Sequence, residues 1–400
     1  MQVGERIVAR CRELAGITDV EGETTRTFLS PAMRRANDQL AAWATEKSFT
    51  TRYDAAGNLH ILRNADIVTQ KTFLLASHLD TVPNAGAYDG PLGILLGLAL
   101  LEEAPPLPFH LELIAFSEEE GVRFGFPFIG SKALTGELTE ELLTRTDTHG
   151  INVREAITAY GLNPGELPEA ILHPGHFGYL EFHIEQGPVL EHEDRALGIV
   201  TAIIGQSRLQ LTFTGKANHA GTTPMHLRHD ALTAASEFVL ATETLARNTP
   251  GLVATVGRLT PYPGAGNVIP GEVALSLDVR HADDSVRHAS VEALLATANS
   301  ISVTRRVRIT HTFKLDQPAV PMDTSLTGLL AEAAAPTRPL TLASGAGHDA
   351  MVLAPHLPAT MLFLRTPGGL SHHPDETVLP SDVQLAFETG LRFLERIANV

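Results

Sequence analysis

Five short segments of this chain place nitrogen and oxygen donors beside apolar runs. The first, S-H-L-D-T, closes the run that begins near Leu74. Residues two apart in an extended chain face one side, so His78 and Asp80 point together. One can bind a metal while the other accepts a hydrogen bond from the second ring nitrogen of the ligating imidazole. Asp89 follows in A-Y-D-G-P-L-G, where Gly90 and Gly93 permit a tight backbone path into a helix, and a carboxylate held there can bridge two cations. The run H-L-E-L-I-A-F-S-E-E-E-G sets Glu118, Glu119 and Glu120 directly behind an apolar strand, and such neighbours repel unless cations or protons offset their charge. In L-E-F-H-I-E-Q-G-P, alternation puts Glu181, His183 and Glu185 on one face, Phe182 and Ile184 on the other. Finally, G-G-L-S-H-H-P-D-E offers His372 and His373 after two glycines, and only one of two adjacent histidines can face a given site.

Each segment alone also has an ordinary structural explanation: a strand-end His beside a capping Asp, an Asp-Gly turn, a solvated acidic loop, hydrogen-bonding histidines. Together the donors suit zinc, manganese or cobalt. Cys11 is the only cysteine, which excludes an intrachain disulfide and a thiolate cluster. Other catalytic signatures are missing. There is no G-x-S-x-G elbow and no H-E-x-x-H helix, and Gly215-Lys216 is followed by Ala217 rather than by the Ser or Thr of a phosphate-binding loop.

The elements that must position these residues follow from periodicity. Strand-like runs (TFLLASHL, HLELIAFS) alternate with helix-like ones (GILLGLALLEE), which predicts an α/β fold with a parallel or mixed sheet. Acidic residues behind a strand then fall at the sheet's C-terminal edge, where ligand sites of such folds lie. From 207 to 318 the pattern becomes strand, helix, two strands, helix, strand, a smaller four-stranded α+β insert. The expected catalytic domain is therefore discontinuous, 1–206 with 319–400. The chain has 400 residues, with 30 Lys and Arg against 46 Asp and Glu, a net charge of -16 that repels nucleic acid and anionic membranes. Its N-terminal segment reads as an amphipathic helix rather than a secretory signal, and its longest apolar stretch, from Pro91 to Leu101, is about half a bilayer span. A cytoplasmic protein without nucleic-acid or membrane partners is expected.

In order along the chain, SHLDTV, GAYDGPLG, FSEEEG, FHIEQGPVLE, FTGKANHAGTTPM, NVIPGEV, SLDVRH, SGAGHDA and GGLSHHPDE resemble the N-carbamoyl-L-amino-acid hydrolase and allantoate amidohydrolase family, within the aminoacylase and carboxypeptidase clan of di-metal hydrolases. The resemblance implies a di-metal exopeptidase-like catalytic domain with an inserted dimerisation (lid) domain, and two divalent ions per subunit, zinc or else manganese, cobalt or nickel. It implies His78, Asp89, Glu120, His183 and His372 as ligands, with Asp89 bridging and Glu119 as general base, which leaves Asp80 to support His78. His372 is chosen over His373 by the family's S-H-x-P spacing. His183 stands where peptide-cleaving relatives usually carry Asp or Glu, which implies a small ureido acid as substrate rather than a peptide. Gln186, His219, Asn267, Arg280, Gly347 and His348 are implied at the substrate. In relatives the position of His219 reaches a neighbouring subunit's active site, which implies a homodimer paired through the inserts. Arg280 could instead be a surface Arg paired with Asp278 or Asp283, and Arg365 either a further substrate contact or structural. A dipeptidase or aminoacylase of the same clan is the nearest alternative, and a non-catalytic binding protein the more distant one.

Overall fold

A computed structural model describes residues 2–399. Before the insert come β1 (Thr50–Tyr53), β2 (Leu59–Arg63), β3 (Thr72–His78), β4 (His110–Phe116), β5 (His176–Ile184) and β6 (Leu197–Ile203). The insert supplies β7 (Gly205–Thr214), β8 (Asn218–His219), β9 (Val253–Tyr262), β10 (Val268–Ile269), β11 (Glu272–His281) and β12 (Arg308–Gln317). The chain closes with β13 (Val320–Pro321), β14 (Leu340–Ser344) and β15 (Ala359–Leu364). Contacts gather the residues up to Thr201 and from Met322 onward into one compact unit, and Ala202–Pro321 into a second. The division falls slightly outside the boundaries expected from sequence, because 202–206 and 319–321 pack with the insert.

The large mixed sheet runs β1-β2-β4-β3-β5-β15-β6-β13, with β14 beside β6. β3 pairs parallel with both β4 and β5, and β15 pairs parallel with β5, so four neighbouring strands end at one edge. Alternation decides which side of each strand is apolar. Phe73, Leu75, Leu111, Leu113, Leu180, Phe182, Ile184 and Leu362 join one core with the helices Val3–Ala15, Pro91–Glu103, Thr324–Ala334 and Pro380–Ala398. Helix Pro91–Glu103 is buried from Pro91 through Leu101. Each fully buried Leu or Ile contributes about 1.5–3 kcal/mol, so this helix anchors the Asp89–Gly90 loop that leads into it. Among the described residues no helix is long and apolar enough to cross a membrane.

The inserted unit is the expected strand, helix, two strands, helix, strand. Its sheet is ordered β12-β7-β11-β9, and helices Ala231–Asn248 and Asp284–Arg305 pack on it through Phe238, Val291 and Leu294. A short antiparallel pair, β8 with β10, brings Asn218 and His219 beside Val268 and Ile269.

Away from the sheet edge that carries the donors, one buried acid ties three strands. Glu112 of β4 meets His60 Nδ1 of β2 at 2.8 Å and His176 Nε2 of β5 at 3.0 Å, and His60 Nε2 reaches Asp54 at 3.2 Å. Burial opposes both charges, but the paired hydrogen bonds hold Glu112 well below the ordinary carboxylate range and raise His60. Glu112 therefore contributes above its unfolded pKa and loses that contribution in acid; His60 contributes below its unfolded pKa and loses it as pH rises. Glu112→Gln is expected to destabilise the protein by ~3 kcal/mol in denaturant titrations, most strongly between about pH 5 and 6.5. A loss below ~1 kcal/mol, or one independent of pH, would show that the network is not holding the strands.

Candidate metal centre

The five expected ligands converge. His78 ends β3, Glu119 and Glu120 follow β4, His183 lies near the end of β5, and His372 lies in the loop beyond β15, while Asp89 sits just before helix Pro91–Glu103. Asp89 Oδ1 is 3.7 Å from His78 Nε2 and 3.3 Å from His183 Nε2. Its Oδ2 is 3.3 Å from His372 Nε2, which is also 3.4 Å from Glu120 Oε1. Donor atoms of His78, Asp89 and His183 lie within 4.8 Å of one another, as do those of Asp89, Glu120 and His372. The two groups share Asp89 and use one oxygen of it each.

The remaining ring nitrogens are already committed. His78 Nδ1 donates to the Asp80 carbonyl at 3.1 Å and His183 Nδ1 to the Ile184 carbonyl at 3.0 Å, which commits both Nδ1 atoms and turns both Nε2 atoms toward Asp89. The Asp80 carboxylate, expected on His78, stands farther off at 3.4 Å. It also holds the backbone: Oδ1 accepts from Glu119 N–H at 2.9 Å and Oδ2 from Glu120 N–H at 3.2 Å. Asp80 thus positions the acidic loop as well as His78. Gly90, at φ 85°, is required here, because a Cβ would lie 2.5 Å from the His78 ring. His372 and Gln186 both adopt left-handed backbone, φ 56° and 60°, a conformation side-chain-bearing residues hold only where the surroundings enforce it.

Charge in the cluster is strongly perturbed. Burial pulls His183 down to about 4, so its imidazole is a neutral lone-pair donor. Hydrogen bonds to Asp89 and Glu120 push His372 up to about 10. Burial opposes a charge on Asp89, yet His372 and His78 hold its carboxyl well below the usual range. The Glu119 carboxyl is driven well above that range by burial, with Glu120, Asp349 and Asp80 adding to the shift. Glu118, fully buried, is also pushed well up by burial and by Asp80. Of the three neighbouring glutamates, Glu120 faces His372. Divalent cations fit this donor set. Asp89 Oδ1 is buried without a hydrogen-bond partner, and two imidazole Nε2 atoms face each other at 3.3 Å, arrangements a cation satisfies by displacing protons.

A cavity of about 200 Å³ opens on the cluster, lined by His78, Glu119, Glu120, His183, Gln186, Gly347, His348 and His372. His348 is buried with its ring 4.4 Å from that of His183, and its Nε2 is 2.9 Å from Ser344 Oγ. Gln186 Nε2 donates to Asp89 Oδ2 at 2.9 Å, and its buried Oε1 is without a hydrogen-bond partner. Glu185, expected beside His183, instead caps the short helix Val189–His192 through Val189 N–H and Leu190 N–H. His373 is half exposed and its Nδ1 accepts from Asp375 N–H, so of the two neighbours only His372 meets Asp89. Arg365 is structural: it binds Asp382 at 2.8 Å and Asp194 at 3.1 Å.

Three expected residues lie in the inserted unit. His219 is exposed on β8, and the backbone of Asn267 lies beside it, its carbonyl accepting from Ala220 N–H at 2.9 Å. Arg280, on β11, is paired with Asp278 at 2.8 and 3.0 Å. Sequence reasoning missed Ser371, whose Oγ donates to Asp89 Oδ2 at 2.8 Å, and Phe128, which lines the cavity from a left-handed turn. The hydroxyl next to His372 was the available signal for Ser371; nothing local marks Phe128.

The chain is similar to known proteins over nearly its whole length. The model of peptidase family M20/M25/M40 matches residues 74–397. An N-carbamoyl-L-amino acid amidohydrolase of Geobacillus stearothermophilus is 39% identical over 394 residues, covering 96% of each chain. A probable allantoate deiminase of Oryza sativa subsp. japonica is 38% identical over 434 residues, covering 98% of this chain and 88% of its own. A solved hydantoinase/carbamoylase family amidase from Burkholderia ambifaria superposes with a TM-score of 0.91 at 32% identity, over 99% of this chain and 97% of that one. The chain therefore belongs to peptidase family M20/M25/M40 and, within it, to the group of amidohydrolases that includes these relatives.

Proposed function

We propose that this protein is a metal-dependent amidohydrolase that cleaves the ureido C–N bond of a small ureido acid, an N-carbamoyl amino acid or allantoate, with release of ammonia and carbon dioxide. The observation that carries the reading is the pair of donor groups sharing Asp89 at a cavity also lined by Glu119. The relatives' names narrow the bond to a ureido group. His78, Asp89 and His183 would hold one divalent ion and Asp89, Glu120 and His372 a second, zinc or else manganese, cobalt or nickel. Such ions, when bound, lower the pKa of water and polarise a carbonyl.

The chain's own residues supply the remaining chemistry. Glu119, held in place by the Asp80 contact to its amide, accepts the proton of the attacking water and returns it to the departing nitrogen. Its burial raises the carboxyl well above the usual range, which favours carrying that proton between the two steps. Gln186, its amide nitrogen committed to Asp89, offers Oε1 to an N–H of the ureido group. Gly347 and His348 close the same cavity. His219 is assigned to the oxyanion and, with Asn267 and Arg280, to the substrate; we assign the inserted unit to dimerisation, with His219 serving a neighbouring subunit. Arg280 presents a planar fork suited to a carboxylate and now occupied by Asp278. A cytoplasmic homodimer completes the reading.

Ammonia release should be assayed on allantoate, N-carbamoyl-β-alanine and several N-carbamoyl-L-amino acids, beside dipeptide and N-acyl amino-acid cleavage. Turnover of at least one ureido acid above the peptides is expected; peptide cleavage alone would make the protein a peptidase or aminoacylase, and no turnover with metal bound would make it a binding protein. Glu119→Gln should retain metal by elemental analysis while turnover falls about 10²–10⁴-fold; a near-normal rate would remove Glu119 as the base. Arg280→Ala is expected to raise KM for carboxylate-bearing substrates about ten- to a hundredfold, and an unchanged KM would place Arg280 outside the substrate site.

A further inference from the structure

Glu376 lies in the same loop as His372 and is 5% exposed. Its Oε1 accepts two main-chain hydrogen bonds, from Tyr88 N–H at 2.9 Å and from Asp89 N–H at 3.0 Å. Its own N–H donates to the His373 carbonyl at 3.0 Å. One carboxylate thus joins the turn that presents Asp89 to the loop that presents His372. The fit is close: a Cβ on Gly86 would lie 2.4 Å from Glu376 Cβ and 2.5 Å from Oε1, so the turn meets the carboxylate only with glycine at that position.

The second oxygen sharpens the question of what the acid is for. Oε2 is buried and without a hydrogen-bond partner, and the residue is among those lining a cleft of about 620 Å³ that the proposed reaction does not use. A buried carboxyl with an unsatisfied oxygen is unfavourable, and filling space alone would be served better by an apolar side chain. The two amides it holds belong to Asp89 and its neighbour, and Asp89 is the residue whose two oxygens must face different donor groups.

We propose that Glu376 is a positioning residue for the metal centre: by accepting the amides of Tyr88 and Asp89 it fixes the main chain so that Asp89 Oδ1 faces His78 and His183 while Oδ2 faces His372 and Glu120. This rests on the metal reading given above. The backbone acceptor of a shared ligand sets that ligand's direction without touching either ion, the role of outer partners at metal sites generally.

The test is a calorimetric titration of the chelator-treated full-length protein with Mn²⁺ alone, beside thermal unfolding of the same metal-free samples. Wild type is expected to bind two ions per chain. Glu376→Ala should weaken at least one of them about ten- to a hundredfold, and Glu376→Gln, whose amide oxygen keeps both hydrogen bonds, should stay within about threefold of wild type. If Glu376→Ala does not fold, Glu376→Met, of similar volume and unable to accept both amides, takes its place. A purely structural role would lower the melting temperature of the metal-free protein and leave the affinity of the folded protein unchanged. Wild-type affinity for both ions in the Ala or Met variant overturns the proposal, as does a Gln variant as weak as Ala. Wild type that binds no Mn²⁺ would overturn the metal reading first and this positioning role with it.

Discussion

The centre depends on a single carboxylate that must present one oxygen to each of two donor groups. Asp89 is short, buried and at the end of a turn, so its direction is set by its main chain more than by its rotamer. Around it stand constraints that share this purpose. Helix Pro91–Glu103, buried along its length, pins the chain just after it. Gly90 lets that chain pass the His78 ring, while Ser371 and Gln186 hold Oδ2 from the side. The four parallel strand ends then bring the remaining donors to the same edge, which is why an α/β sheet suits the purpose.

Much of this was legible locally. His78 with Asp80, and Glu181 with His183, could be read from period-two alternation, and the structure leaves Phe182 and Ile184 in the apolar core on the opposite face. The succession of elements in the insert followed from periodicity and met its four-stranded sheet, whose strand order periodicity does not give. What alternation cannot reveal is the partner of a polar atom when that partner is remote in sequence. Asp80 could be read as the partner of His78, which its carboxylate meets at 3.4 Å, but its further bonds to the amides of Glu119 and Glu120 could not. Arg280 and Asp278 share one face of a strand and pair with each other. The left-handed backbone of His372 and Gln186 had no local signal either, since neither residue type favours it as glycine does.

Electrostatics explains how so many acids and histidines share a small buried volume. Burial and the nearby Asp80 press the Glu118 carboxyl upward, while Asp89 is matched by His372. The remainder, two imidazole Nε2 atoms facing each other and an Asp89 oxygen without a partner, is what divalent cations would complete. A further cluster, Glu181 with His183 and His348, lies close enough to compete for His183. There Glu181 Oε2 already accepts from Tyr179 Oη at 2.8 Å and from Ala350 N–H at 2.9 Å, and His348 Nε2 is engaged with Ser344. Glu181 Oε1, like Asp89 Oδ1, is left without a hydrogen-bond partner; what distinguishes Asp89 is that it is shared between two sets of donors.

The most direct test is a crystal structure of Mn²⁺-loaded protein with anomalous diffraction recorded at the manganese edge. The account predicts two peaks, one bounded by His78, His183 and Asp89 Oδ1 and the other by Glu120, His372 and Asp89 Oδ2, separated by ~3.5–4 Å. A single peak, or a peak held by Glu181, His183 and His348 with Asp89 left out, would contradict it.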